Sequence, residues 1–158
     1  MAAKQAGKYY DKANVVVVNS KSLAQGYSAL TMLDVSSGDP EQIMAEIDEV
    51  ISNVTTGLIT YSIRDAELDG IQIHKDDFIG ICNSKMVASE KTKEDALKQM
   101  LSKTDLSEKE IITLIYGADV TEEEAEAVRD YIESTYTNIE VDVIEGKQEV
   151  YSYILSIE

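Results

Sequence analysis

The spacing of apolar positions predicts alternating helices and short strands. Residues 15–18 are four consecutive valines, and a continuous β-branched run is typical of a strand buried on both faces of a parallel sheet. A helix is predicted over 2–11 before this run, and Leu23, Tyr27 and Leu30 recur at helical spacing after it. The chain is therefore expected to begin with helix, strand and helix.

The middle of the chain predicts one capped helix and a set of short strands. Asp39 can cap a helix over about 40–53, with Pro40 in its first turn. Asp69-Gly70 is a hairpin signal between alternating apolar residues. The remaining strands of an antiparallel meander are predicted over 58–63, 71–73, 77–81 and 86–88, followed by a helix that Thr92 and Asp95 open.

The last third has the clearest pattern. A buried strand over 110–116 precedes a helix over 121–136, where Thr121 and Glu124 form a capping box. Strands over 139–143 and 150–157 complete a β-α-β-β ending. The fold class is therefore α/β (α+β). Residues 1–38 are expected to be the remainder of a parallel-sheet lobe, and 39–158 a mostly antiparallel α+β lobe.

The charge balance excludes several classes of function. The 158 residues include 14 basic and 30 acidic side chains, a net charge of −16. Such a surface repels phosphate backbones and anionic lipid, so we expect neither nucleic-acid binding nor membrane insertion. The first residues lack the apolar core of a signal peptide, which favours a cytoplasmic protein. Residues 106–158 alone carry −11, either as a solvated face or as a docking face for a basic partner.

Candidate catalytic residues are few. The sequence has one cysteine, Cys82, and one histidine, His74, and it lacks a glycine-rich phosphate loop and the common zinc and nucleophile motifs. Cys82 lies in an apolar strand without a basic neighbour in sequence, and such a residue usually behaves as a small apolar side chain. We expect no catalytic residue, no metal and no cofactor in this chain.

The most informative polar stretch runs from Tyr61 to Gly70. Arg64 is one of two arginines and follows an apolar strand, beside Asp65. Arg64 and Asp65 could form a structural pair that fixes the hairpin, or Arg64 could recognise a carboxylate or phosphate at an interface. A divalent-cation site at the carboxylates of this stretch is a weaker interpretation, because their alternation along a strand is unlike a calcium-binding loop.

Nine tyrosines accompany a single phenylalanine and no tryptophan. Tyrosine suits surfaces that are partly dry and partly wet, including interfaces. Tyr151 and Tyr153 could therefore either cap the rim of the core or form part of a docking patch. As the partner-binding set we take Tyr61, Arg64 and Asp65, followed by Tyr151 and Tyr153.

Several segments resemble the C-terminal region of bacterial fatty acid kinases of the FakA type, the YloV-like proteins related to dihydroxyacetone kinase. The segment VTTGLITYSIRDAELDG at 54–70 carries most of this resemblance. Shorter matching segments lie, in the same order along the chain, at 2–6, 19–26, 75–80, 114–117 and 150–154.

The resemblance implies a fold related to DegV proteins, which the 110–157 pattern also resembles. It implies that ATP and magnesium are bound by a separate N-terminal kinase domain and not by this chain. It further implies a non-catalytic domain with two partners, which are the kinase domain of its own polypeptide and the acyl-carrying, DegV-like protein FakB. A homodimer is a further possibility.

Two alternatives remain open at this point. One is a DegV-like domain that binds a fatty acid or another small molecule, which a dry cavity larger than about 300 Å³ would favour. The other is an enzyme that uses Cys82 or Arg64 with neighbouring carboxylates, which a cleft converging on those residues would favour.

Overall fold

The computed structural model describes residues 2–9 and 15–158. The chain forms two compact units, 1–54 and 55–158. The boundary predicted at 38/39 differs from this division, because the helix after Asp39 packs against the helix before it and so belongs to the first unit.

The first unit is helical in its described part. Its helices are α1 (Ala2–Gly7), α2 (Leu23–Thr31) and α3 (Pro40–Asn53). The Asp39 carboxylate accepts from the Glu41 amide, so the predicted cap and bounds of α3 are confirmed. Helices α2 and α3 enclose a small core of Ala29, Ile47 and Ile51.

Two predictions for this unit need correction or fall outside the description. Residues 15–18 form neither a strand nor a helix, so the strand expected there is wrong for this chain. A strand needs a neighbour for its backbone hydrogen bonds, and the described residues of this unit offer no other strand. Helix α1 ends at Gly7, and residues 10 and 11 of the predicted 2–11 helix lie outside the described residues.

The second unit is one six-stranded sheet with two helices on it and a separate hairpin. Its strands and helices, in chain order, are β1 (Thr55–Tyr61), β2 (Ala66–Leu68), β3 (Ile71–Ile73), β4 (Phe78–Cys82), β5 (Lys85–Glu90), α4 (Lys93–Ser102), β6 (Ile111–Tyr116), α5 (Glu122–Thr135), β7 (Glu140–Glu145) and β8 (Tyr151–Ile157).

The strand order across the sheet is β5-β4-β1-β8-β6-β7, and only β6 and β7 pair in parallel. The α/β class and the β-α-β-β ending are therefore confirmed. The last strand, β8, lies between β1 and β6, where six of its seven residues are buried. Apolar side chains of α4, α5 and the sheet meet in a single core, which includes Leu97, Met100, Val128 and Ile132.

The hairpin β2–β3 stands apart from the main sheet. Asp69 and Gly70 both have positive φ, as the predicted two-residue turn requires. The meander is interrupted here, because β1 pairs with β4 and the hairpin forms its own two-stranded sheet. At its tip the Asp69 carboxylate accepts from the Met86 amide at 2.8 Å, which ties the hairpin to β5.

Candidate docking surface

The end of β1 and the start of β8 meet at one edge of the second unit. Their register pairs Thr60 with Tyr151 after a bulge at Ser152. The Thr60 hydroxyl also donates to the Val150 carbonyl. This register brings Val150 beside Tyr61, the last residue of β1.

The backbone on the β8 side is fixed by local packing. A Cβ on Gly117 would lie 2.3 Å from the Tyr151 carbonyl oxygen, so only glycine fits at this position. The Gly117 amide donates to the Ser152 carbonyl, and the Ser152 hydroxyl donates to Asp119 at 2.6 Å. The Gln148 side chain donates to the carbonyl of Tyr151 at 3.0 Å. The backbone on either side of Val150 is therefore anchored.

Three large apolar side chains are exposed at this edge. Tyr61 is 52% exposed, Ile63 75% and Val150 61%. Arg64 follows directly and is also exposed. We call Tyr61, Ile63, Arg64 and Val150 the strand-end surface.

Arg64 and Asp65 do not form the structural pair that was one interpretation of the sequence. Arg64 makes no ion pair or side-chain hydrogen bond with any residue that the structure describes. Asp65 instead accepts from the Lys75 amide at 2.7 Å and lies 4.0 Å from the His74 ring nitrogen. Asp65 therefore fixes the base of the hairpin, and the Arg64 guanidinium is free to meet another group.

The two predicted tyrosines of β8 differ in position. Tyr151 is half-buried beside the strand-end surface. Tyr153 is fully buried in the core of the second unit, so its inclusion among the partner-contacting residues is corrected. The bulge at Ser152 explains the difference, because it turns Tyr153 toward the core opposite Ile59. Burial, and after it the carboxylates of Glu94, Glu124 and Asp119, raises the pKa of the Tyr153 hydroxyl.

Sequence reasoning missed Ile63 and Val150 as surface residues. Both lie within apolar runs that predicted strands over 58–63 and 150–157. The strands β1 and β8 end or begin just short of them. An apolar residue beyond a strand end has the same pattern as one inside it, so no signal in the sequence separates the two cases.

The residues considered for catalysis lie apart. Cys82 pairs with Gly57 at the start of β1, whereas Arg64 follows the end of that strand. The hairpin carboxylates also diverge, since Asp65, Glu67 and Asp69 each accept a hydrogen bond from a different group. Within residues 2–9 and 15–158, no three His, Cys, Asp or Glu side chains are grouped to hold a metal ion.

Part of the acidic last third has a structural role. Glu124 completes the capping box with Thr121 and lies 3.3 Å from the Lys93 ammonium. Its hydrogen bond from the Thr121 amide, more than the Lys93 contacts, lowers the pKa of the Glu124 carboxyl. Glu133 accepts from the Val141 amide at 3.0 Å. The same segment also leaves exposed carboxylates, among them Glu145 and Glu149.

A membrane-spanning helix is not among the described elements, since none of them combines the required length and apolar character.

Comparison with solved structures shows a shared fold. The chain superposes with a TM-score of 0.63 on DegV, a fatty acid binding protein from Bacillus subtilis, at 19% identity over 99% of this chain and 65% of that one. A fatty-acid-binding DegV family protein from Thermus thermophilus gives 0.56 at 14% identity, over 97% and 64% of the two chains. The predicted DegV-like architecture is confirmed.

Comparison of sequences identifies the relatives. Protein YloV of Bacillus subtilis is 37% identical over all 158 residues, and an uncharacterized protein of Staphylococcus aureus (strain USA300) is 35% identical over the same length. The chain spans 28% of the length of each. The family model for the C-terminal region of FakA-like fatty acid kinases matches residues 1–158, and this chain belongs to that family.

Proposed function

We propose that this chain is a non-catalytic docking domain of a cytoplasmic fatty acid kinase. Its partner would be the acyl-carrying, DegV-like protein FakB, presented to a kinase domain elsewhere in the same polypeptide. ATP and magnesium would be bound by that kinase domain, and the product would be an acyl phosphate. Membership of the family of kinase C-terminal regions supports this assignment.

The observation that carries the proposal is the strand-end surface. Tyr61, Ile63 and Val150 expose apolar area on a rigid sheet edge, next to the unpaired cation of Arg64. Binding energy at protein interfaces is concentrated in aromatic and arginine residues of this kind. A centre of apolar side chains with an arginine beside it is the usual composition of such a patch.

Calorimetric titration of the chain with acyl-loaded FakB tests the proposal. We expect saturable binding, and Ile63→Asp or Val150→Asp should weaken it about tenfold or more, a loss of about 1.4 kcal/mol. Leu68→Asp is the matched control. Leu68 is also exposed and apolar, but it lies on the hairpin whose tip is tied to Met86, at the other end of β1.

Repeating the titration at two salt concentrations tests the acidic last third. A marked loss of affinity at high salt would assign its −11 charge a role in docking, because salt screens exposed charges. Absence of binding by a folded chain, or equal losses in the three variants, would contradict the proposal.

A further inference from the structure

The first unit carries an apolar groove that its own described residues leave open. The groove has a volume of about 510 Å³, and its lining includes Val16, Val18, Leu30, Leu33, Val35 and Ile43. We call it the first-unit groove. Leu30 is 74% exposed and Val35 63%. The second unit, by contrast, encloses its apolar side chains in one continuous core.

The backbone next to the groove is also unpaired. Residues 15–18 form no backbone hydrogen bond with any residue that the structure describes, and Val15 and Val16 are exposed. Four consecutive β-branched residues favour a strand covered on both faces. Backbone amides and carbonyls that become covered need hydrogen-bond partners. The groove and the valine run therefore lack the same thing, which is a covering layer with backbone groups of its own.

This requirement distinguishes between the possible occupants. An acyl chain would fill the apolar volume, but it has no groups that could pair with the valine backbone. A fatty acid carboxylate also needs a polar anchor, and among the described residues that line the groove the Ser20 hydroxyl is the single polar side-chain group. A polypeptide strand satisfies both requirements, because it adds hydrogen bonds along one edge and apolar side chains above the groove.

The relatives indicate where this polypeptide comes from. The chain spans 28% of YloV, and the matching family is named for a C-terminal region, so the rest of such a protein precedes this part. The two DegV structures cover nearly all of this chain, yet about a third of each is unmatched. We propose that the segment preceding residue 1 in the full-length protein adds a strand beside residues 15–18 and covers the first-unit groove.

The proposal concerns the first unit alone and does not depend on FakB docking. It is tested by amide hydrogen exchange on the 158-residue chain and on the full-length protein. We expect the amides of residues 15–18 to exchange rapidly in the shorter chain and about a hundredfold or more slowly in the longer one, because a paired strand opens only with the structure around it. The amides of α5 should exchange alike in both and serve as the internal reference.

A matched pair of substitutions adds a second measurement. Leu30→Glu places a charge in the groove, whereas Met32→Glu places it two residues away on a similarly exposed side chain outside the groove lining. Both should leave the short chain folded by circular dichroism. In the full-length protein only Leu30→Glu should restore rapid exchange at residues 15–18.

Three results would overturn the proposal. Equal exchange at residues 15–18 in both lengths would show that no segment pairs there. Protection of the short chain that rises with its concentration would assign the groove to a second copy. Protection of the short chain by added oleate, with no further change in the longer protein, would assign it to an acyl chain.

Discussion

The Asp77 carboxylate is buried and accepts a hydrogen bond from the Lys91 ammonium, which reaches it from the end of β5. The same carboxylate accepts from the His74 amide and the Ser89 hydroxyl. The Asp77 carbonyl accepts from the Ser62 amide at 2.8 Å. One residue therefore joins the end of β1, the hairpin and the outer strands.

This arrangement predicts a pH-dependent contribution to stability. The hydrogen bond with Lys91, more than any other contact, lowers the pKa of the Asp77 carboxyl, and burial acts in the opposite direction. A lowered pKa in the folded state stabilises the protein above the unfolded pKa of about 3.9. That contribution is lost as the pH falls through the folded value. Asp77→Asn should therefore lower the thermal midpoint at pH 7, and its deficit should shrink below about pH 4.

The neighbouring residue provides the control for this prediction. Asp76 is exposed and has a positive φ that asparagine tolerates. Asp76→Asn should change the thermal midpoint little at any pH. A deficit of Asp77→Asn that stays constant from about pH 7 to about pH 3 would show that the charge of Asp77 is not what stabilises the fold.

The capping box of α5 predicts a loss of stability that can be stated in magnitude. The Thr121 hydroxyl accepts from the Glu124 amide at 3.2 Å, and Glu124 accepts from the Thr121 amide at 2.8 Å. Thr121→Ala should lower the free energy of unfolding by about 1 kcal/mol, measured by denaturant titration. Thr135→Ala, in the exposed last turn of the same helix, should cost less than half as much. Equal losses would contradict the assigned role of the cap.

Local signals explain which parts of the fold were predictable. The caps at Asp39 and Thr121 and the turn at Asp69-Gly70 depend on residues close to one another in sequence, and all three are confirmed. The position of β8 between β1 and β6 depends on pairings across much of the chain. No spacing within one element encodes such pairings.

The candidate site shows the same division between local and distant determinants. The position of Arg64 after an apolar strand was readable from the sequence, and Tyr61 is exposed with it. Tyr153 was misplaced because a one-residue bulge changes which face of β8 a side chain occupies. The Asp77–Lys91 bond joins residues fourteen positions apart, so it became visible only with the strand register.

Arg64 provides a prediction that separates recognition from structural support. Because Arg64 forms no ion pair with the described residues, Arg64→Ala should leave the thermal midpoint unchanged. It should weaken docking to acyl-loaded FakB by about 1–3 kcal/mol, the range of an interface arginine. Lys85→Ala removes the same charge from an exposed position at the other end of the sheet and should leave docking intact. A lower midpoint with unchanged affinity would make Arg64 a structural residue.

The hydroxyl of Tyr153 leads to the opposite expectation, a gain in stability on removal of an atom. It is buried and has no hydrogen-bond partner among the described residues, and a buried polar group without a partner costs about 1–3 kcal/mol. Tyr153→Phe keeps the ring between Ile59 and the other core residues, so it should raise the free energy of unfolding by about 1 kcal/mol. FakB docking should be unchanged, because the side chain does not reach the surface. Tyr151→Phe, at a half-buried position, is the control and should change stability little. A loss of stability in Tyr153→Phe would mean that the hydroxyl has a partner in solution, and a loss of docking would return Tyr153 to the interface.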